Sequence, residues 1–266
     1  MSALLSPLGL GCGRLGSFNN AASAADQRAA LIAALDAGVT VFDTANIYGQ
    51  GDSERIIGRT FGRQRDNVFV ITKLGKLFST KMRLMRPLKP ILKPLLAAAG
   101  RGSAVTAARQ GNMAADFSPT RYASALDASL RRLGFDHVDA LLLHSPDAAE
   151  IGASGVGPAL QALVTSGRAR MFGISVDDRG ALDAALAVTG IGMVQVPLDV
   201  ADAAAAELAD ARARGVKVAL REVIRLQPDL SPPEAARAAV GRPFADCVIV
   251  GASSPSRIRE LASALD

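Results

Sequence analysis

At 266 residues, 49% of them hydrophobic, the chain has the usual length of one α/β barrel and enough apolar material to build a core without staples. No run reaches the roughly 20 apolar residues of a membrane span, Met1 to Gly16 lacks the pattern of a secretory signal, and two cysteines with two histidines are too few for a zinc or disulfide framework. The net charge of +5 is concentrated: Asn67 to Ala115 holds nine Lys or Arg and no Asp or Glu, yet only Phe69 and Phe78 as stacking aromatics, which argues against a nucleic-acid surface.

In chain order, short apolar runs alternate with amphipathic stretches. The predicted strands are Leu8 to Cys12, Val39 to Ala45, Asn67 to Leu74, Val138 to His144, Met171 to Val176, Met193 to Leu198, Val216 to Leu220 and Cys247 to Gly251. The predicted helices are Ala25 to Ala37, Ser53 to Phe61, Pro119 to Leu133, Pro158 to Ser166, Gly180 to Val188, Ala203 to Arg214, Pro233 to Val240 and Pro255 to Leu265. Eight such pairs imply a parallel sheet that right-handed crossovers close into a (β/α)8 TIM barrel, an α/β fold with its chemistry at the carboxyl ends of the strands. The whole chain, 1–266, is expected to be one domain, soluble and cytoplasmic, with Cys12 and Cys247 as small buried hydrophobes. A long basic insertion, 75–117, follows strand 3 at the rim where a substrate enters. Within it Leu88, Ile91, Leu92, Leu95 and Leu96 have helical spacing, but Pro87, Pro90 and Pro94 oppose a regular helix. Its charge leads to the expectation of a rim lid favouring an anionic substrate or an acidic carrier; a solvated loop is the alternative.

Asp43, Tyr48, Lys73 and His144 fall at or just beyond three predicted strand ends, so they share one rim. Carbonyl reduction needs a proton donor for the oxygen, and a tyrosine of ordinary pKa ~10 keeps its proton at neutral pH but donates poorly. Lys73 can lower the cost of the phenolate, Asp43 can hold Lys73 charged and oriented, and His144 can hydrogen-bond the substrate oxygen. Singly, the Asp–Lys pair reads as a structural ion pair and the histidine as a core residue. Tyr122, on a predicted helix, reads as packing. Gly11-Cys-Gly13-Arg-Leu-Gly16 matches G-x-G-x-x-G, but no helix begins at once behind it, so a flexible turn is the better reading than a Rossmann site. Neither tyrosine has a lysine four residues on, which argues against a short-chain dehydrogenase.

Asp43-Thr-Ala-Asn-Ile-Tyr48-Gly49, Thr72-Lys73 and Leu142-Leu143-His144 resemble the tetrad segments of the aldo-keto reductases, in that family's order. Gly173-Ile-Ser175, Val194-Gln195 and Gly251-Ala-Ser-Ser-Pro-Ser-Arg257-Ile-Arg-Glu260 extend the resemblance over nearly the whole chain. It implies an NADP(H)-dependent reductase, with NAD(H) as the other possibility, acting on a small carbonyl or alcohol substrate without a metal. Ser175 and Gln195 would then hold the nicotinamide carboxamide, and Gly251, Ser253, Arg257 and Glu260 would form the cofactor-phosphate loop. Val176 stands where the family usually has a carboxamide-binding asparagine, and Gly251 where many members have a lysine for the 2′-phosphate, while Arg257 is retained. The C-terminal pocket loop of many family members is expected to be missing, so the pocket is expected to be closed by something else or to stay open. Asp116-Phe-Ser118 and Ser124 to Gly134 resemble the branch with aldose and pyridoxal dehydrogenases. The alternatives are a nicotinamide-nucleotide sensor or partner-binding subunit on the same fold, and a barrel enzyme of another chemistry such as an isomerase.

Overall fold

The structure, a computed structural model, describes residues 5–17, 20, 22–78 and 113–265. Eight parallel strands close into a barrel: β1 (Leu8–Gly11), β2 (Val41–Asp43), β3 (Phe69–Leu74), β6 (Val138–His144), β7 (Ala169–Ser175), β8 (Met193–Pro197), β9 (Lys217–Arg221) and β10 (Cys247–Val250), with β10 returning to pair with β1. The helices are α1 (Ala24–Asp36), α2 (Asp52–Phe61), α3 (Tyr122–Leu133), α4 (Ala148–Gly152), α5 (Val156–Thr165), α6 (Arg179–Leu186), α7 (Leu198–Ala203), α8 (Ala205–Ala213), α9 (Pro232–Val240) and α10 (Pro255–Ser263). Strands of such a barrel are covered on both faces, so they read as continuous apolar runs. Val138 to Leu143 is buried throughout. Among the described residues no helix is long and apolar enough to cross a membrane.

Alternation along the strands divides the core in two. Val41, Phe69, Ile71, Ala140, Leu142, Met193, Ala219, Cys247 and Ile249 fill the barrel interior. Their neighbours Phe42, Val70, Leu141, Val194 and Val218 point outward, into a larger layer beneath the helices with Leu31, Ile57, Leu126, Leu160 and Leu208. Gly58 lets α2 lie against the end of α3, because a Cβ there would stand 1.7 Å from the Leu133 carbonyl oxygen. Helix starts follow side-chain capping: Ser23 with Asp26, Asp147 with Glu150 and Ser231 with Glu234 form reciprocal boxes.

Several boundaries differ from the sequence reading. The run ending at Leu198 and the helix from Ala203 are separated in the structure by α7, which starts directly at Leu198. A short antiparallel pair, β4 (Lys76–Phe78) and β5 (Met113–Ala115), closes the two ends of the basic segment, pairing Lys76 with Ala115. The leucine-rich, proline-broken stretch from 87 to 96 lies outside the described residues. Cys12 and Cys247 are free and buried, as expected. The glycine-rich turn after β1 carries no immediate helix, since α1 begins only at Ala24 behind its Ser23 cap. The sheet around it is a closed barrel, not an open Rossmann sheet.

Candidate functional site

The period of two that fills the barrel interior also fixes the mouth. Two residues beyond inward-facing Val41, Ile71, Leu142 and Met193 stand Asp43, Lys73, His144 and Gln195. They form, with Ser175, the last inward layer at the carboxyl ends of five strands. Asp43, Lys73, Ser175 and Gln195 are each at most 5% exposed.

Lys73 Nζ donates to Asp43 Oδ1 at 2.5 Å and to the Thr44 carbonyl at 3.2 Å. Gln195 Nε2 donates to the same Asp43 oxygen at 3.1 Å, and Ser175 Oγ donates to Gln195 Oε1 at 3.0 Å. Tyr48 arrives from outside the sheet, on a single 3₁₀ turn, Tyr48–Gln50. Its ring lies with its centroid 5.3 Å from Lys73 Nζ and meets the His144 ring edge-on, centroids 5.8 Å apart at 89°. Gly49 makes this approach possible: its φ is +57°, and a Cβ would stand 2.5 Å from the Leu15 carbonyl oxygen.

Burial sets the proton states. Tyr48 is raised above the ordinary tyrosine value, first by burial; the Lys73 ammonium acts in the opposite direction and Asp43 adds to the rise. Lys73 does lower the cost of the phenolate, as expected, but desolvation outweighs it. Burial alone would depress Lys73, yet Asp43 and Tyr48 more than offset it and hold the ammonium above its usual value. His144 is driven well below the ordinary imidazole range by burial and then by Lys73, Lys76 and Arg221, so it is neutral at pH 7. Its Nδ1 is buried without a partner among the described residues.

A second layer holds the first. Thr44 Oγ1 and Ser53 Oγ are 2.7 Å apart, and Ser53 donates to the Cys12 carbonyl at 3.0 Å, tying the ends of β1 and β2 to α2. Thr72, pointing outward beside Lys73, donates to fully buried Glu54 at 2.8 Å, whose other oxygen accepts from Arg132 at 2.5 Å. The sequence reading did not single out Glu54, Arg132, Lys76 or Arg221. Arg221 ends β9, donates to the Val176 carbonyl at 2.7 Å and pairs with Asp177 and Glu222. Tyr122 is the packing residue expected of it, its hydroxyl donating to the Phe117 carbonyl at 2.7 Å.

The predicted phosphate-loop residues stand apart from this group, beyond β10. Gly251 and Ser253 are exposed, Ser254 caps α10, and Arg257 in its first turn pairs with Glu260 at 2.8 Å. An exposed guanidinium and hydroxyl at a helix N-terminus are the donors a phosphate needs. Gln195 keeps a second N–H after its bond to Asp43, and Ser175 keeps acceptor lone pairs. That is the complement of a carboxamide, so both ends of the site fit a nicotinamide dinucleotide.

Fold and geometry together define a parallel α/β barrel with Asp43, Lys73, Tyr48 and His144 gathered at its mouth. The aldo/keto reductase family model matches residues 7–226, and the chain belongs to that family. It is 33% identical over 156 residues to a 6-dehydroglucose reductase of Agrobacterium fabrum, covering 58% of this chain and 44% of that protein. It is 30% identical over 192 residues to a D-threo-aldose 1-dehydrogenase of Pseudomonas sp., covering 71% and 55%. The chain thus matches about half the length of these curated relatives. Among solved structures, an aldo-keto reductase of Bacillus halodurans superposes with a TM-score of 0.78 at 20% identity, over 100% of this chain and 89% of that one.

Proposed function

We propose that this chain catalyses reversible hydride transfer between a nicotinamide dinucleotide, NADPH in preference to NADH, and the carbonyl carbon of an aldehyde, ketone or lactol. The observation that carries the reading is the Asp43-held Lys73 ammonium beside the Tyr48 ring, with neutral His144 edge-on against the same ring. The names of the sugar-directed relatives point the substrate class toward aldoses. Two buried free thiols suit a reducing, cytoplasmic location.

When bound, the nicotinamide supplies the hydride in reduction and accepts it in oxidation. Ser175 and Gln195 would hold its carboxamide; Gly251, Ser253 and Arg257 would receive the phosphates, with Glu260 orienting Arg257. Tyr48 keeps its proton across the neutral range, because its titration lies above that of free tyrosine. It gives that proton to the carbonyl oxygen as carbon is reduced, and recovers one from solvent afterwards. The phenolate left behind faces the Lys73 ammonium, whose charge Asp43 secures. His144, neutral, offers an N–H to the substrate oxygen without competing as an acid.

Calorimetric titration with NADPH and with NADH, on the wild-type protein and Arg257→Ala, tests the cofactor assignment. A guanidinium–phosphate contact is worth about 1.5–3 kcal/mol, so NADPH should bind about tenfold to a hundredfold more tightly, and Arg257→Ala should erase the advantage. Binding of neither nucleotide overturns the reading; binding without turnover on any carbonyl favours a nucleotide sensor.

A further inference from the structure

We propose that Gln195 is a positioning residue for the Asp43–Lys73 pair, acting through Asp43 even when no nucleotide is bound. The proposal rests on the oxidoreductase reading of the same site and adds a role to the carboxamide seat given to Gln195 there.

Gln195 is 1% exposed, on the inward face of β8, and its amide has one chemically consistent orientation. Ser175 has a hydroxyl proton to give, so the oxygen end of the amide faces Ser175 Oγ at 3.0 Å. Asp43 as a carboxylate only accepts, so the nitrogen end faces it, at 3.1 Å. Turned over, the amide would set oxygen against a carboxylate oxygen. The result is a relay across the mouth, from β7 through β8 to β2 and β3: Ser175 orients Gln195, Gln195 donates to Asp43 Oδ1, and that same oxygen receives Lys73 at 2.5 Å.

Two donors on one carboxylate oxygen divide its charge between them. The field Tyr48 feels is that of the ammonium less that of Asp43, since the two act on it in opposite directions. Each hydrogen bond that Asp43 receives from elsewhere leaves more of the Lys73 field for the phenolate formed during proton transfer. Without Gln195, Asp43 turns its whole charge on Lys73 and the phenolate becomes harder to form. A residue that only seats the carboxamide does nothing in the nucleotide-free protein, and this separates the two roles.

The chain has only two tyrosines, Tyr48 and Tyr122. Protein labelled with 13Cζ-tyrosine therefore gives two resonances, assigned by Tyr48→Phe. Tyr122, pushed up to about 12 mainly by burial, serves as an internal control of folding. The variants are Gln195→Met, which keeps length and loses the donor; Gln195→Glu, which sets an acceptor against Asp43; and Ser175→Ala, which removes the donor to the amide oxygen and loosens the amide's hold on Asp43. Titrated without nucleotide, Tyr48 should ionise about half to one pH unit later in Gln195→Met than in the wild-type protein, and later still in Gln195→Glu. Ser175→Ala should give a smaller shift of the same sign. In turnover, the alkaline limb of the reduction profile should move up by the same amount in Gln195→Met. A Tyr48 titration unchanged in both Gln195 variants, with Tyr122 in its native position, overturns the proposal. Because this arm needs neither cofactor nor substrate, its failure is distinct from failure to bind nucleotide.

Discussion

Removing Lys73 alone should cost far more stability than removing Lys73 and Asp43 together. Their side chains are 1% and 7% exposed, and the N–O distance is 2.5 Å. At an effective dielectric near 20, that distance corresponds to about 6–7 kcal/mol of attraction, most of which offsets the desolvation of two buried charges. Lys73→Met leaves the Asp43 carboxylate buried with, among the described residues, only the Gln195 amide as side-chain donor, and should destabilise by about 3–5 kcal/mol. In Asp43→Asn/Lys73→Met no charge is stranded, and the loss should fall to about 0–2 kcal/mol. The chain has no tryptophan, so urea unfolding is best followed by far-UV circular dichroism. A Lys73→Met loss below about 1 kcal/mol, or a double variant as unstable as the single one, would refute the account of a tightly desolvated pair.

Three further outcomes follow from the same geometry. Arg132→Met strands Glu54, whose carboxylate is fully buried, and should cost about 3–5 kcal/mol in urea unfolding; a loss under about 1 kcal/mol means that Thr72 alone satisfies it. The folded protein disfavours protonated His144, so the stability it contributes is fully present above the unfolded value near pH 6.5 and declines as pH falls below it. His144→Gln should therefore lose less stability than the wild-type protein between about pH 7.5 and 5.5, and parallel losses contradict the assignment. Gly49→Ala meets both a positive φ and a carbonyl oxygen 2.5 Å from the new methyl, and should cost about 2–3 kcal/mol while displacing Tyr48; an unchanged denaturation midpoint argues against the tight turn.

The barrel was legible because a strand covered on both faces is written as a continuous apolar run. Val138 to His144 has the same limits in sequence and structure. The mouth was legible in part for the same reason: with inward residues at Ile71, Leu142 and Met193, the period of two carries Lys73, His144 and Gln195 into one layer. Helix α4 carried a signal, the Asp147–Glu150 capping box, which the sequence reading passed over. Helix α7 begins at the residue after β8 with no turn between them, so one apolar run spans both. The β4–β5 pair joins segments three residues long across a long intervening stretch, and neither is long enough to show alternation. Glu54 and Arg132 each read as a polar residue on an amphipathic helix; only tertiary packing brings them together over Thr72. The rise of Tyr48 had no sequence signal either, because the depth of burial at the mouth is a property of the closed barrel.

The most direct test of the central claim is Tyr48→Phe, measured by nicotinamide absorbance in carbonyl reduction on an aldose and aldehyde panel, with nucleotide affinity determined in parallel. General acid catalysis contributes about a hundredfold to ten-thousandfold. The variant should therefore bind NADPH as the wild-type protein does and lose about that much in kcat. Reduction at an undiminished rate by Tyr48→Phe would show that the proton comes from elsewhere and contradict the account.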